Sequence, residues 1–144
     1  MLSPQTCTKQ RILVAGTVDA VHTACSILGD GFDYRRAFSA HEALAVLDSP
    51  VDLIVCSMRF DDGSMVEFLH ALQKDQQRSP VPVVCFHAHG WEVSRGACAQ
   101  VQAALRGLGD GQVVDLYTLA RERGVSAAVA ELREAICSRL QQAA

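Results

Sequence analysis

Hydrophobic positions fall into short runs that alternate with longer stretches of helical periodicity. Four of the runs are mostly apolar or β-branched, namely residues 11–15, 52–56, 81–87 and 112–117. Apolar runs of this length are typical of strands that are buried on both faces of a parallel sheet. The remaining run, residues 33–38, reads Asp-Tyr-Arg-Arg-Ala-Phe and is more polar, which predicts an edge strand.

Apolar residues at helical spacing fill the stretches between these runs. Ser39 and Ser64 each precede a glutamate by three residues, which is the capping-box pattern of a helix start. Between the last strand and the last helix, we expect residues 121–123 to form a solvated turn. The periodic stretches that predict helices include residues 18–28, 65–72, 97–108 and 129–140.

The alternation of strands and helices predicts five β/α units in an α/β fold. Such units connect with a right-handed crossover and place helices on both faces of one sheet. We therefore expect a three-layer α/β/α sandwich with a five-stranded parallel sheet in the flavodoxin-like order 2-1-3-4-5. We expect one domain over residues 1–144, with its core at about 11–140 and residues 1–10 as an N-terminal extension.

The composition excludes several classes of partner. Of the 144 residues, 49% are hydrophobic and 20% are charged, with a net charge of −3, so neither a basic nucleic-acid footprint nor a polybasic membrane patch is present. No apolar run approaches the roughly 18 residues that a membrane span requires. The first residues lack the charged and apolar blocks of a signal peptide, and we expect a cytoplasmic protein.

Six cysteines are present, but no two of them form a C-x-x-C pair. Cys56 and Cys85 lie inside apolar runs that predict central strands. Free thiols in a reducing compartment explain this pattern better than a disulfide framework does. Because buried thiols are inert, we expect Cys56 and Cys85 to react most slowly.

Four segments carry a resemblance to a known family. They are Ile-Leu-Val at residues 12–14, Phe-Ser-Ala-His-Glu-Ala-Leu at 38–44, Val-Asp-Leu-Ile-Val-Cys at 51–56 and Pro-Val-Pro-Val-Val at 80–84. In this order and spacing, they resemble the receiver domain of bacterial response regulators, over residues 11–140. The resemblance implies a module of signal transduction in two-component systems.

The resemblance also identifies the positions at which receivers perform phosphoryl transfer. The aspartate that accepts phosphate falls at Ser57, and the acidic pair that binds Mg²⁺ falls at Gly16 and Thr17. The threonine or serine that ends the fourth strand falls at His87, and the lysine that ends the fifth falls at Asp115. None of these residues suits that chemistry, and the loop after the third strand is shorter than in the family. The pattern is that of a degenerate pseudo-receiver.

Other functions for these residues have weaker support in the sequence. Ser57 and His87 lack the third orienting residue of a catalytic triad, so we expect no enzyme activity. Cys85, His87 and His89 alternate at a spacing of two, which places side chains on one side of an extended strand, but a closed zinc site normally needs four ligands. Phe60 lies in the loop after the third strand, and its side chain either fills the crevice of the degenerate phosphoryl-transfer positions or is exposed for binding.

We therefore expect a non-catalytic pseudo-receiver that acts through protein–protein interaction, without phosphorylation and without a cofactor. In receivers, partners commonly bind the face of the fourth helix, fifth strand and fifth helix. The resemblance implies the same face here, with Trp91, Arg95, Arg106 and Arg133 as candidate contacts with a signalling protein or a second copy. Trp91 equally suits a cover for the sheet end. The alternative function is a sensor whose crevice around Ser57 and His87 binds a small ligand, anion or metal.

Overall fold

The computed structural model describes residues 10–60, 63–74, 81–87, 95–108 and 111–143. The strands in these ranges are β1 (Arg11–Ala15), β2 (Asp33–Ala37), β3 (Leu53–Ser57), β4 (Arg59–Phe60), β5 (Gly63–Ser64), β6 (Val83–His87) and β7 (Gly111–Asp115). The helices are α1 (Val18–Leu28), α2 (Ala40–Val46), α3 (Met65–Lys74), α4 (Arg95–Leu108), α5 (Leu116–Arg123) and α6 (Val125–Ala143).

The main sheet has five parallel strands in the order β2-β1-β3-β6-β7. Numbered by their position among the main-sheet strands, this is the predicted order 2-1-3-4-5, and the α/β/α architecture is confirmed. The polar strand β2 lies at one edge, where Ala37 is its buried residue. The opposite edge is β7. The short antiparallel pair β4–β5, which the sequence pattern did not predict, follows β3.

Both faces of the sheet are covered, and alternate residues of each strand enter different cores. Val55 and Phe86 belong to the core under α1 and α6, which we call the α1/α6 face. Their neighbours Ile54, Cys56 and Cys85 belong to the core under α2, α3 and α4, which we call the α3/α4 face. Because neither face meets water, every residue of β3 is buried. This explains the unbroken apolar runs of the sequence.

One expectation about the chain after β7 is wrong. Residues 121–123 do not form a turn but end helix α5, and residues 116–117, assigned above to the last strand, begin it. Asp115 caps this helix, and Leu116 is buried against the α1/α6 face. Gly124 ends it, with φ 96° and an N–H that donates to the carbonyl of Ala120 at 3.0 Å. The N-cap Asp115, the buried Leu116 and the C-terminal Gly124 thus lie within ten residues, and together they define a short helix.

Among the described residues, no helix is both long and apolar enough to cross a membrane.

A substitution at Gly111 tests how closely β7 packs against α4. A Cβ atom at Gly111 would lie 2.6 Å from Cδ2 and 3.0 Å from Cβ of Leu105, which is buried. We therefore expect Gly111→Ala to lower the free energy of unfolding by about 1–3 kcal/mol, as overpacking does. The matched control is Gly31→Ala, because a Cβ there meets nothing within 4 Å. Urea denaturation measures both, and equal effects would contradict this packing.

Candidate functional site at the carboxyl edge of the sheet

The parallel strands all end at one edge of the sheet, which is where open α/β folds bind ligands. The residues that follow or end β1, β3, β6 and β7 at this edge are Gly16 and Thr17, Ser57, His87, and Asp115. The register pairs Ala15 with Cys56, Ser57 with Phe86, and His87 with Asp115. The positions that the resemblance identified therefore lie along one edge of the sheet.

Gly16 and Thr17, which follow β1, stabilise the local fold. The N–H of Gly16 donates to the carbonyl of Ala37 at 3.1 Å, so the residue extends the pairing of β1 with β2. Its φ of 153° is a conformation that residues with a side chain rarely adopt. Thr17 caps α1, and its Oγ1 accepts from the N–H of Ala20 at 3.4 Å. Neither position supplies a carboxylate to a cation.

Ser57 is the last residue of β3 and is only 6% exposed. It lies two residues after Val55 and in register with Phe86, both of which enter the α1/α6 core. The alternation of the strand therefore directs its side chain toward that face. A buried hydroxyl of this kind closes the strand end, and unlike a carboxylate it cannot form an acyl phosphate.

The carboxylate of Asp115 is engaged by the helix that follows it. Its Oδ1 accepts from the backbone N–H of Thr118 at 3.0 Å, and its Oδ2 accepts from the Thr118 hydroxyl at 2.7 Å. Both oxygens therefore satisfy the first turn of α5, as an N-cap residue does. The position at which the resemblance implies a lysine thus holds a carboxylate, and this carboxylate is hydrogen-bonded to Thr118.

An aromatic and cationic row lies beside this cap. The ring of His87 packs edge-on against the ring of Tyr117, with 5.9 Å between centroids and 61° between planes. The guanidinium of Arg121 lies 5.5 Å from the centroid of the Tyr117 ring. We call His87, Tyr117 and Arg121 the edge row. Helix α5 positions two of its members, and the signal for them in the sequence is an aspartate three residues before a threonine.

The register does not bring Ser57 and His87 to one side of the sheet. Ser57 follows the residues of the α1/α6 face, whereas His87 is two residues after Cys85, which enters the α3/α4 core. Strand alternation directs the two side chains to opposite faces. A nucleophile and its base need hydrogen-bond contact, and side chains on opposite faces of a sheet are poorly placed for it.

The structure gives no support to a metal site on β6. The side chain of Cys85 is fully buried and its Sγ lies 3.1 Å from Sγ of Cys56. His89 lies outside the described residues. In the part of the chain that is described, no cluster of three or more His, Cys, Asp and Glu side chains suits a metal ion.

Two of the four candidate contact residues have described side chains, and they lie on different surfaces. Arg106 is exposed on α4, which packs against β7. Arg133 does not belong to that surface, because its Nε donates to the carbonyl of Ile27 in α1 at 2.7 Å. Arg139 lies on the side of α6 that meets β7, because its Nη2 donates to Oε1 of Gln112 at 3.4 Å.

The remaining sequence candidates lie partly or wholly outside the described residues. Trp91 is not among the described residues. Arg95 begins α4 and Phe60 belongs to β4, but nothing further is described of their side chains. The candidate roles of these three residues therefore stay predictions.

Comparison with known proteins identifies the fold. No protein-family model and no curated protein matches the chain. Among solved structures, a CheY-like receiver domain from Methanospirillum hungatei JF-1 has a TM-score of 0.69 and 17% identity, over 94% of this chain and 97% of that one. The signal receiver domain of an HD domain-containing protein from Pseudomonas fluorescens Pf-5 has a TM-score of 0.70 and 14% identity, over 94% and 98%.

A further neighbour, a response regulator receiver protein from Pseudomonas putida, has a TM-score of 0.68 and 14% identity, over 92% of this chain and 98% of that one. These identities are low, whereas the shared length is nearly the whole of each chain. The chain therefore has the fold of receiver domains, and what it does must be argued from its own residues.

The cap at Asp115 is testable without any ligand. We expect Asp115→Ala to lower the free energy of unfolding by about 1 kcal/mol, because the first turn of α5 loses its acceptor. Asp115→Asn is the matched control, since an asparagine oxygen caps a helix about as well. Chemical denaturation compares the two variants. Equal stability of Asp115→Ala and the parent protein would contradict the role of this carboxylate as a cap.

Proposed function

We propose that this chain is a non-catalytic pseudo-receiver of bacterial signal transduction, which acts by protein–protein interaction that does not depend on aspartyl phosphorylation. Its support is the receiver fold combined with the chemistry at the carboxyl edge. The observation that carries the proposal is the Asp115 carboxylate, which caps α5 at the position where the resemblance implies a phosphate-binding lysine.

Phosphoryl transfer in receivers depends on three kinds of group, and each is replaced here. The acceptor must be a carboxylate, but position 57 is a serine with a hydroxyl. Mg²⁺ prefers oxygen ligands that include carboxylates, but Gly16 and Thr17 carry no charge. The developing phosphate needs a cation, whereas Asp115 is an anion and repels it. Restoring one of these groups leaves the other two missing.

A module of this kind presents a binding surface that does not change with phosphorylation. Asp115 links the end of β7 to the start of α5 as its N-cap, and the ring of Tyr117 contacts both His87 and Arg121. A phosphorylation switch needs an edge with two arrangements of similar free energy. The cap and the edge row instead favour one arrangement, which suits an adaptor that binds without an activation step.

The surface that best fits this role consists of α4, the edge strand β7 and α6. Arg106 on α4 is exposed, and Arg139 on α6 contacts Gln112 of β7. We call Arg106, Gln112 and Arg139 the β7 face. Charged and amide groups around a strand edge suit the polar rim of an interface. A second copy of the chain is one partner of this face, because two-fold contacts use the same patch twice.

The absence of phosphorylation is the first prediction of this proposal. We expect no increase in intact mass when the protein is incubated with a small-molecule phosphodonor and Mg²⁺. A receiver domain with an intact aspartate is the positive control, and Ser57→Asp is the informative variant. We expect the variant to stay unmodified as well, because Gly16, Thr17 and Asp115 still lack the groups that bind Mg²⁺ and phosphate. A base-labile phosphoryl adduct on the parent protein would contradict the proposal.

The β7 face is tested by charge reversal with a matched control. We expect the molar mass of the parent protein from light scattering to rise above that of a monomer with concentration. Arg106→Glu with Arg139→Glu changes the same patch on both copies, so we expect this variant to remain monomeric. Arg36→Glu with Arg133→Glu makes the same charge change on β2 and on the α1 side of α6, and we expect it to associate like the parent.

Two results would contradict the assignment of this face. One is a parent protein that stays monomeric at every concentration and forms a complex with a signalling partner that the Arg106 and Arg139 changes leave unaffected. The other is equal dissociation of both double variants, which would indicate an effect of net charge and not of a particular surface.

A further inference from the structure

Two thiols lie in contact inside the sheet, just before the carboxyl edge. Cys56 of β3 and Cys85 of β6 are register partners in neighbouring parallel strands, and both are fully buried. Their Sγ atoms are 3.1 Å apart. Carbon atoms prefer separations of about 3.5–4.0 Å, and sulfur is larger, so this contact is shorter than ordinary packing. The contact is a hydrogen bond in which either thiol donates, and it holds the two sulfur atoms together.

The backbone around the pair suits a disulfide bond. Neighbouring strands lie about 4.7–4.9 Å apart, and disulfides accept Cα separations of about 4.4–6.8 Å. Both side chains enter the α3/α4 core, so they point to the same side of the sheet. The two sulfur atoms therefore need to approach each other by only a fraction of their present separation to form the bond. The strands themselves need not shift.

We propose that Cys56 and Cys85 form a modification site at which a peroxide closes a reversible disulfide between β3 and β6. This inference goes beyond the proposed function and does not depend on it. Each sulfur atom of the pair has a resolving thiol within reach, and among the cysteines whose side chains are described this contact is found for Cys56 and Cys85, not for the exposed Cys137 or the half-buried Cys25. In the described part of the chain, all four of these cysteines are free thiols.

The reaction balances with hydrogen peroxide as the oxidant. The thiolate of one cysteine attacks a peroxide oxygen, so that an S–O bond forms, the O–O bond breaks and water leaves after proton transfer. The second thiolate then attacks the sulfenic sulfur, the S–S bond forms, and the S–O bond breaks as a second water leaves. Two thiols and one peroxide give one disulfide and two waters, and an external thiol reverses the change by exchange.

Burial makes the first of these steps slow. Desolvation, followed by the hydrogen bond with Cys85, raises the pKa of the Cys56 thiol well above its ordinary value. The thiolate of Cys56 is therefore scarce at neutral pH, and its oxidation becomes faster as the pH rises. The second step needs no diffusion, because the resolving sulfur is already in contact. A slow first step and a fast second step yield the disulfide and not the sulfinic acid.

The bond would lie next to the candidate site. Ser57 follows Cys56 directly, and His87 of the edge row is two residues after Cys85. A covalent link between β3 and β6 closes a loop that spans 29 positions of the sequence, which stabilises the folded state at the expense of the unfolded chain. Oxidation therefore stiffens the part of the sheet edge that carries both residues.

The test uses a variant in which only this pair remains, with Cys7, Cys98 and Cys137 changed to serine and Cys25 changed to alanine. The native variant is treated with hydrogen peroxide under conditions that oxidise Cys137 of the parent protein, and for several times as long. We expect a mass loss of two hydrogen atoms, two thiols that alkylate after unfolding only when a reductant is added, and an upward shift of the urea midpoint.

Two further substitutions in this background serve as controls. Cys56→Ser and Cys85→Ser each leave one thiol, and we expect that thiol to gain oxygen atoms without any loss of hydrogen. If one variant fails to fold, the other provides the same comparison. The proposal is overturned if the paired variant keeps two alkylatable thiols throughout, or if one of its sulfur atoms gains two oxygen atoms while the other stays reduced.

Discussion

The burial of the sheet on both faces is the constraint on which the rest of this structure depends. Residues 12–15, 53–56 and 83–86 of β1, β3 and β6 enter one core or the other, so their identities are restricted to apolar and small side chains. The residues that end or follow the strands are less restricted: Ser57 is buried but polar, whereas His87 is partly exposed and Asp115 is exposed. The fold of a receiver can therefore persist while its chemistry changes, and the low identities to solved receiver structures fit that separation.

Much of the fold follows from the sequence because two-sided burial leaves a clear pattern. The five strands of the main sheet and their order were predicted from apolar runs and from the polar character of residues 33–38. Helix α5 was not predicted, because Leu116 and Tyr117 extend the apolar run of β7 and the cap at Asp115 acts over only one turn. The pair β4–β5 was missed because each strand has two residues, which is too short for any periodicity.

The candidate site was predicted less completely, because the sequence alone does not show which side chains come into contact. The edge positions followed from the resemblance, and the structure brings Gly16, Ser57 and His87 to one edge of the sheet. The partners of these positions did not follow: the contact of His87 with Tyr117 depends on α5, and the contact of Cys56 with Cys85 depends on the register of β3 and β6. Arg133 faces α1 for a similar reason, because its place on α6 is set by packing.

The central claim is that the carboxyl edge of the sheet serves the fold and not phosphoryl transfer, and a titration with Mg²⁺ tests it most directly. Backbone amide resonances of Gly16, Thr17, Ser57 and Asp115 report on this edge individually. The account predicts that none of them shows a saturable shift as Mg²⁺ is added at constant ionic strength, because Gly16, Thr17 and Ser57 carry no carboxylate and the carboxylate of Asp115 is engaged by Thr118. Saturable shifts of these amides together, with one common dissociation constant, would contradict it.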